Sequence, residues 1–389
     1  MLMKRLKTWH LFALVIIIFA CSFYYINSKY DPFYRVKGIN NENRQLISKY
    51  LTKSEQDYLV ENQIPMSQFV RYIKYDDFHL QNYQYYNMLR DTDRYKSTTS
   101  VLKTGNALVK ILSSRYDTSY YKLASTIIED DLEYALIHDS SFNDDNVAYY
   151  AYLRPLYSRK DTSFVQDTQT YLDGLATRNV TGEDAENFLS EVTSEYTKSS
   201  LKTLMSDAND PDIHLVTKPS SNDLILNSTN YVGSYVPKTL TLIQDVNRLK
   251  YAMYIRYDAY NALVKMYQQA GKEDISFIVY QAYTSYKELP SEAKGHNEFQ
   301  LGLSLSLTSQ GIPYKDFKNC KASKWLSENS YKYGFILRYP KSKTAATGHT
   351  YDAHIYRYVG TSLAKKMHDE DLSLEETENN KLKPQGEGD

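Results

Sequence analysis

WLSENSYKYGFILRYPK, Trp325–Lys341, is the stretch on which the reading of this chain turns. Its inner run YGFILRY, Tyr333–Tyr339, is a strand candidate. Working outward, ISFIVY (Ile275–Tyr280) is a continuous apolar run that reads as a buried strand, and IYRYV (Ile355–Val359) and LILN (Leu224–Asn227) are further candidates. A long helix is expected over Leu249–Ala270. Ala259, Leu263, Met266 and Ala270 form its stripe, and Gly271 its stop. Helix and strand mix without strict alternation, so the C-terminal part reads as an α+β domain.

Upstream the texture differs. KPSSN, Lys218–Asn222, groups Pro, Ser and Asn and marks a boundary. Before it, from about residue 31, the pattern is helical and polar, with few Gly and Pro and no repeat of fixed period. Thr52 with Glu55 makes a capping box, and Pro65 is expected to end the helix that follows. A short helix should then carry Phe69, Val70 and Ile73 on one face. Tyr83, Tyr85, Tyr86 and Leu89, Val101–Leu112 and Asp184–Met205 are further helical stretches. No chemical motif lies in this half, which reads as a helical stalk module.

At the N-terminus, Lys4, Arg5 and Lys7 precede LFALVIIIFACSFYYI, Leu11–Ile26, with no charge until Lys29. With Thr8, Trp9 and His10 the run approaches the ~20 residues that span a bilayer. Its length favours an uncleaved signal-anchor over a cleaved signal peptide or a lipoprotein signal ending at Cys21. The expected organisation is therefore a membrane anchor (1–30), a mainly α-helical extracellular module (31–220), an α+β domain (221–376) and a disordered acidic tail (377–389). The C-terminal domain is expected outside a single-pass membrane helix.

The 389 residues carry 46 Lys and Arg against 47 Asp and Glu, a net charge of −1 that gives no field for nucleic acid. Thirty-nine Tyr stand against 13 Phe and two Trp, enough to build cores and still present hydroxyls to a ligand. Cys21 and Cys320 are the only cysteines, so there is no CxxC pair and no thiolate zinc site.

Several blocks of the C-terminal domain resemble, in order, the VanY-type D-alanyl-D-alanine carboxypeptidases, zinc peptidases that trim the last D-alanine from peptidoglycan stem peptides. Leu224–Asn227 and Tyr235-Val236-Pro237 are similar to the family's opening strand and loop. QAYTSY (Gln281–Tyr286) aligns with its SGYRSY, and Trp325–Lys341 is nearly its own sequence. Thr347-Gly348, RYVG (Arg357–Gly360) and LSLEE (Leu372–Glu376) continue the likeness, over about Asn222–Glu376. The resemblance implies the zinc D-Ala-D-Ala carboxypeptidase fold.

It also implies a zinc site built from SxHxxGxAxD and ExxH, with the Glu as general base. Here the first motif reads NEFQLGLSLS, Asn297–Ser306, and the second DAHI, Asp352–Ile355. Phe299, Ser306 and Ile355 stand at the three ligand positions, Asp352 at the base position, and Thr284 at the Arg of SGYRSY. Phe and Ile cannot ligate a metal, and a neutral Ser is a poor substitute for a carboxylate. Phe299 and Ile355 are expected to fill the old cavity with apolar volume. The implied protein is a pseudoenzyme with no cofactor. A remnant peptide groove is expected from Tyr283, Thr284, Ser285, Asn297, Glu298, Gln300, Asp352, His354 and Arg357. Its partner would be a peptidoglycan stem peptide or a cell-envelope protein.

Two enzyme alternatives stay open: a displaced zinc site from His296, His349, Asp352 and His354, and a metal-free nucleophile such as Ser304 or Ser306 with His354. No G-x-S-x-G or S-x-x-K frames either serine within this domain. A purely structural scaffold is the third reading.

Overall fold

The computed structural model describes residues 8–31, 33–117, 120–207 and 209–377. The expectations placed on Lys4, Arg5, Lys7 and residues 378–389 lie outside these. The chain forms two compact units, residues 1–147 with 159–165, and 148–158 with 166–389.

The first unit is helical. Its helix Thr8–Tyr30 carries an uncharged span, Trp9–Asn27, whose apolar side chains are exposed. At 1.5 Å per residue those 19 residues reach about 28 Å, close to a hydrocarbon core. Helices Asn41–Tyr50, Lys53–Glu61, Tyr83–Asp91, Thr98–Arg115, Tyr121–Glu129 and Glu133–His138 follow. The capping box is present: Glu55 N donates to Thr52 Oγ1, and Thr52 N to the Glu55 carboxylate. The helix it starts ends at Glu61, before Pro65, because Gln63 turns the chain with a φ of 52°. The expected helix after Pro65 is a 3-10 turn, Met66–Gln68, followed by further turns. Phe69 and Ile73 are buried there while Val70 is 36% exposed. The tighter turn breaks the spacing of a helical face.

In the second unit the stretch Asp184–Met205 is two helices, Glu183–Glu195 and Lys198–Met205. Thr197 breaks them by capping the second with its side chain on Ser200 N. These helices join the segment after them. Tyr196 Oη donates to Val216 O at 2.6 Å and Thr217 Oγ1 to Glu191 at 2.6 Å. Gly233 sits so close that a Cβ there would lie 2.6 Å from Leu204 N, at a φ of 53°. The division between compact units thus falls in 147–166, whereas the sequence drew its boundary at Lys218–Asn222.

Among the described residues the second unit holds eight strands. β1 (His214–Leu215) pairs parallel with β2 (Asn230–Tyr231), and β3 (Leu240–Leu242) antiparallel with β4 (Tyr254–Arg256). The main sheet is antiparallel, in the order β5 (Ile278–Gln281), β6 (Ser304–Thr308), β8 (Asp352–Tyr358), β7 (Phe335–Tyr339). Helix and strand are mixed, as the pattern of the sequence requires. LILN is not a strand: the Leu224 carbonyl accepts from Arg357 and the Ile225 carbonyl from Asn230 Nδ2. ISFIVY contributes only from Ile278, and β5 is an edge strand with Tyr280 exposed.

The long helix runs Tyr257–Lys272, not from Leu249, since Tyr254–Arg256 is spent on β4. Its stripe is the expected one, with Ala259, Leu263, Met266 and Ala270 buried. Asp274, at a φ of 55°, makes the left-handed turn after it rather than Gly271. Trp325 Nε1 donates to Glu273 at 2.7 Å just past this helix. The closing helix Thr361–Asp369 packs Ala364 and Met367 against Ile336, Val359, Ile225 and Leu374.

Candidate functional site

One end of the main sheet collects the substituted positions. Ser306 on β6 is the strand partner of Ile355 on β8 and of Gln281 on β5, across a bulge between Val279 and Gln281. Directly opposed antiparallel residues share a face. Phe299 lies on the 3-10 helix Glu298–Leu301, opened by Asn297, whose side chain accepts Phe299 N at 2.9 Å. Gly302 ends that turn in the left-handed region, which turns the chain into β6. Thr284 N donates to the Phe299 carbonyl at 3.3 Å, and Gln281 Nε2 to Thr284 Oγ1 at 3.2 Å. Backbone pairing thus links Thr284 to Phe299 and Ser306 to Ile355.

The filling expected of Phe299 and Ile355 needs correction. Both are partly exposed. An aromatic stack packs beside Ser306 instead. Ser306 Oγ meets Tyr314 Oη at 3.2 Å, and Tyr314 lies parallel to His354 with ring centres 3.6 Å apart. Phe317 stacks on His354 at 4.8 Å, and Tyr280 leans on Tyr314 at 4.9 Å.

Of the expected groove residues, Tyr283, Thr284, Ser285, Asn297 and Asp352 are partly exposed. Four others are buried and hold internal partners. Glu298 takes Arg338 at 2.8 Å and Arg357 at 3.6 Å. Gln300 donates to Gly233 O and Tyr235 O and accepts from Gly295 N. Arg357, wholly buried, donates to Leu224 O at 3.0 Å. His354 is buried, and its Nδ1 donates to Leu307 O at 2.8 Å. These four build the wall, and their burial keeps them from a ligand at the surface.

Burial alone would raise the Glu298 carboxyl, but the guanidinium groups of Arg338 and Arg357 outweigh it and hold the group below its ordinary range. Burial pushes Arg357 down to about 10, against the attraction of Glu298, which leaves it charged at neutral pH. Arg338 also reaches Glu375 at 2.6 Å, and so ties the LSLEE segment to β7.

The zinc that the resemblance implies does not fit these residues. Its protein ligands are N, O or S atoms, usually three with one open position. A phenyl ring, a hydroxymethyl and a branched alkyl chain stand at the three places. Among the described residues no three His, Cys, Asp or Glu side chains group around a common point for a metal. The displaced set does not assemble. His296 Nδ1 is on Asn227 O and Asn230 O, His349 lies against Tyr339, and His354 is on Leu307 O. Nor does a nucleophile pair form: Ser306 meets Tyr314, and Ser304 Oγ is buried without a partner among the described residues.

The sequence did not point to Tyr280 or Tyr314 as neighbours of Ser306. Tyr314 sits on a 3-10 turn after Pro313, where no period aims a side chain.

Residues 288–361 match the family model of VanY, D-alanyl-D-alanine carboxypeptidase. YodJ of Bacillus subtilis, provisionally named a carboxypeptidase, is 34% identical over 169 residues, 37% of this chain and 62% of that protein. A D-alanyl-D-alanine carboxypeptidase of Enterococcus faecalis is 43% identical over 82 residues, 21% of this chain and 30% of that protein. The chain spans less than two thirds of the length of either relative. Among solved structures, the LdcB LD-carboxypeptidase is 32% identical, with a TM-score of 0.39 over 43% of this chain and 89% of its own.

Proposed function

From the premise that the C-terminal domain is of the VanY D-alanyl-D-alanine carboxypeptidase type, we propose that it has kept the scaffold and lost the hydrolysis. It binds peptidoglycan stem peptide without cutting it, at the end of the sheet lined by Tyr283, Thr284, Ser285, Asn297 and Asp352. Helix Thr8–Tyr30 anchors it in the cell membrane with this domain outside, and residues 31–220 serve as the module between.

The observation that carries this reading is the donor set. Phe299, Ser306 and Ile355 supply no metal ligands, and Thr284 supplies no charged donor to a developing oxyanion. The scaffold around these positions is meanwhile intact, down to the buried pairing of Glu298 with Arg338 and Arg357.

The test is elemental analysis of the full chain, purified in detergent, beside an assay for D-alanine release from a peptide ending in D-Ala-D-Ala. Zinc well below one per chain and no release above a protein-free control are expected. One tightly held zinc per chain, lost on changing His296 or His349, together with turnover, would overturn the reading. For the anchor, the expected outcome is recovery of the chain with membranes. A soluble secreted form starting between Ser22 and Lys29 would replace the anchor by a cleaved signal, and a lipid on Cys21 by a lipoprotein.

A further inference from the structure

Asp352 opens β8, partly exposed. Its Oδ1 accepts from His354 N at 2.8 Å, and among the described residues its Oδ2 has no partner. Tyr351 precedes it in the chain, and the His354 that it holds through the backbone carries Tyr314 stacked on its ring, with Tyr280 leaning on Tyr314. Tyr280 and Tyr314 are each 42% exposed and Tyr351 39%. Tyr314 is fixed from behind by its parallel stack on His354 and at its hydroxyl by Ser306.

Burial is the first cause that raises the Tyr314 and Tyr351 hydroxyls, and the charge of Asp352 adds to it. The arginines built into this sheet do not answer it, since Arg338 is turned to Glu298 and Glu375, and Arg357 to Glu298. This end of the sheet therefore presents one carboxylate without a counter-ion, bordered by exposed aromatic rings. An anionic ligand is repelled there. A neutral sugar can donate hydroxyls to the carboxylate but brings it no counter-charge. A divalent hard cation asks for about six oxygen ligands, and one carboxylate with a few phenols does not provide them. An ammonium fits both features. Its N–H groups pair with the carboxylate, and its charge is drawn to the ring faces.

We infer that Asp352 with Tyr280, Tyr314 and Tyr351 forms a binding site for a primary ammonium group of a peptide, such as a lysine side chain. The inference rests on the stem-peptide reading above and assigns the part of the peptide that the site selects. A site of the metal-and-arginine kind would capture a carboxylate; this one has the opposite preference.

The test is titration calorimetry of the full chain in detergent with three probes. These are Nα-acetyl-L-Lys-D-Ala-D-Ala, the same peptide acetylated also at Nε, and Nα-acetyl-L-lysine amide. The free amine should bind at least about tenfold more tightly than its Nε-acetyl twin. In Asp352→Asn, which keeps the Oδ1 acceptor for His354 N, that preference should vanish. In Tyr280→Leu, an exposed ring, it should fall about threefold. Equal binding of the two peptides overturns the ammonium site and leaves stem-peptide binding standing. Lysine amide binding as tightly as the free-amine peptide, with dependence on Asp352, keeps the ammonium site and removes the wall peptide as its source. Binding of none of the three overturns both.

Discussion

Glu298 and Phe299 are neighbours in the chain and have opposite fates. Glu298 turns inward and is buried between Arg338 and Arg357, while Phe299 remains partly exposed at the end of the sheet. Two residues apart on β8, Arg357 and Ile355 repeat the contrast: a fully buried guanidinium, and an alkyl chain at the partly exposed partner position of Ser306. The inward set is charged and closely paired. Where the family's chemistry needs a ligand or a cation, Phe299, Ile355 and Thr284 are partly exposed and Ser306 is buried, and all four are neutral. The difference separates two demands on one scaffold. The inner cluster answers to folding, and it survives whether or not the outer positions catalyse.

The sharpest way to break the comparison is to strike the inner cluster. Glu298→Ala leaves Arg338 and Arg357 buried short of a counter-charge, and should cost about 3–5 kcal/mol in chemical denaturation. Ser306→Ala, which removes one bond to Tyr314, should cost about 1 kcal/mol or less. Equal costs would mean that the two sets are not distinct.

The next effect is on the outer set. Phe299→His, Ser306→Asp, Asp352→Glu and Ile355→His together rebuild three ligands and the base. Zinc at about 100 times its Kd should then stabilise the variant by about 2.7 kcal/mol, read as a rise in melting temperature absent from the wild type and from each single change. Because Phe299 and Ile355 are partly exposed, their two substitutions should cost less than the burial of unpaired polar groups, whereas Ser306→Asp buries a carboxylate and should carry most of the cost until zinc binds. A melting temperature indifferent to zinc would mean that the four positions do not converge. Thr284→Arg on that background should add rate, by returning a donor for the oxyanion.

Acid tests the inner cluster more gently. The Glu298 carboxyl is held below its ordinary value, so it contributes stability that is complete above the unfolded-state value, about 4.3, and is lost as pH falls through the lower folded value. Stability measured from neutral pH downward should therefore decline in that range in the wild type, and decline less in Glu298→Gln. Parallel curves would assign the acid sensitivity to other carboxylates. The smallest effect belongs to Ser304. Its hydroxyl is buried without a partner among the described residues, so Ser304→Ala should raise stability by up to about 1 kcal/mol by denaturant titration. A loss of stability would mean that the hydroxyl is satisfied.

Much of the fold was legible where a local pattern dictates it. The stripe Ala259, Leu263, Met266 and Ala270 recurs at helical spacing, and those four residues are the ones buried. The Thr52 and Glu55 capping box needs only three residues of separation. Boundaries were less legible where long-range partners decide them. Leu224–Asn227 has the composition of a strand, yet its carbonyls are taken by Arg357 and Asn230, one of them 133 residues away. The residues from Leu249 to Arg256 could have continued a helix, but β3 claims the last three of them.

The sequence by itself determined what the site cannot do. A phenyl ring and an alkyl chain have no lone pair to offer a metal in any conformation, so Phe299 and Ile355 exclude those ligands before any fold is known. Only the tertiary structure decided which polar residues remain available. Glu298, Gln300, Arg357 and His354 look like groove residues in a motif alignment, and burial turns all four to internal partners. It also brought Tyr280 and Tyr314, distant in sequence, to the neighbourhood of Asp352. The physical reason is that a side chain's chemistry is fixed by its atoms, whereas its charge balance and exposure are fixed by whatever the rest of the chain packs against it.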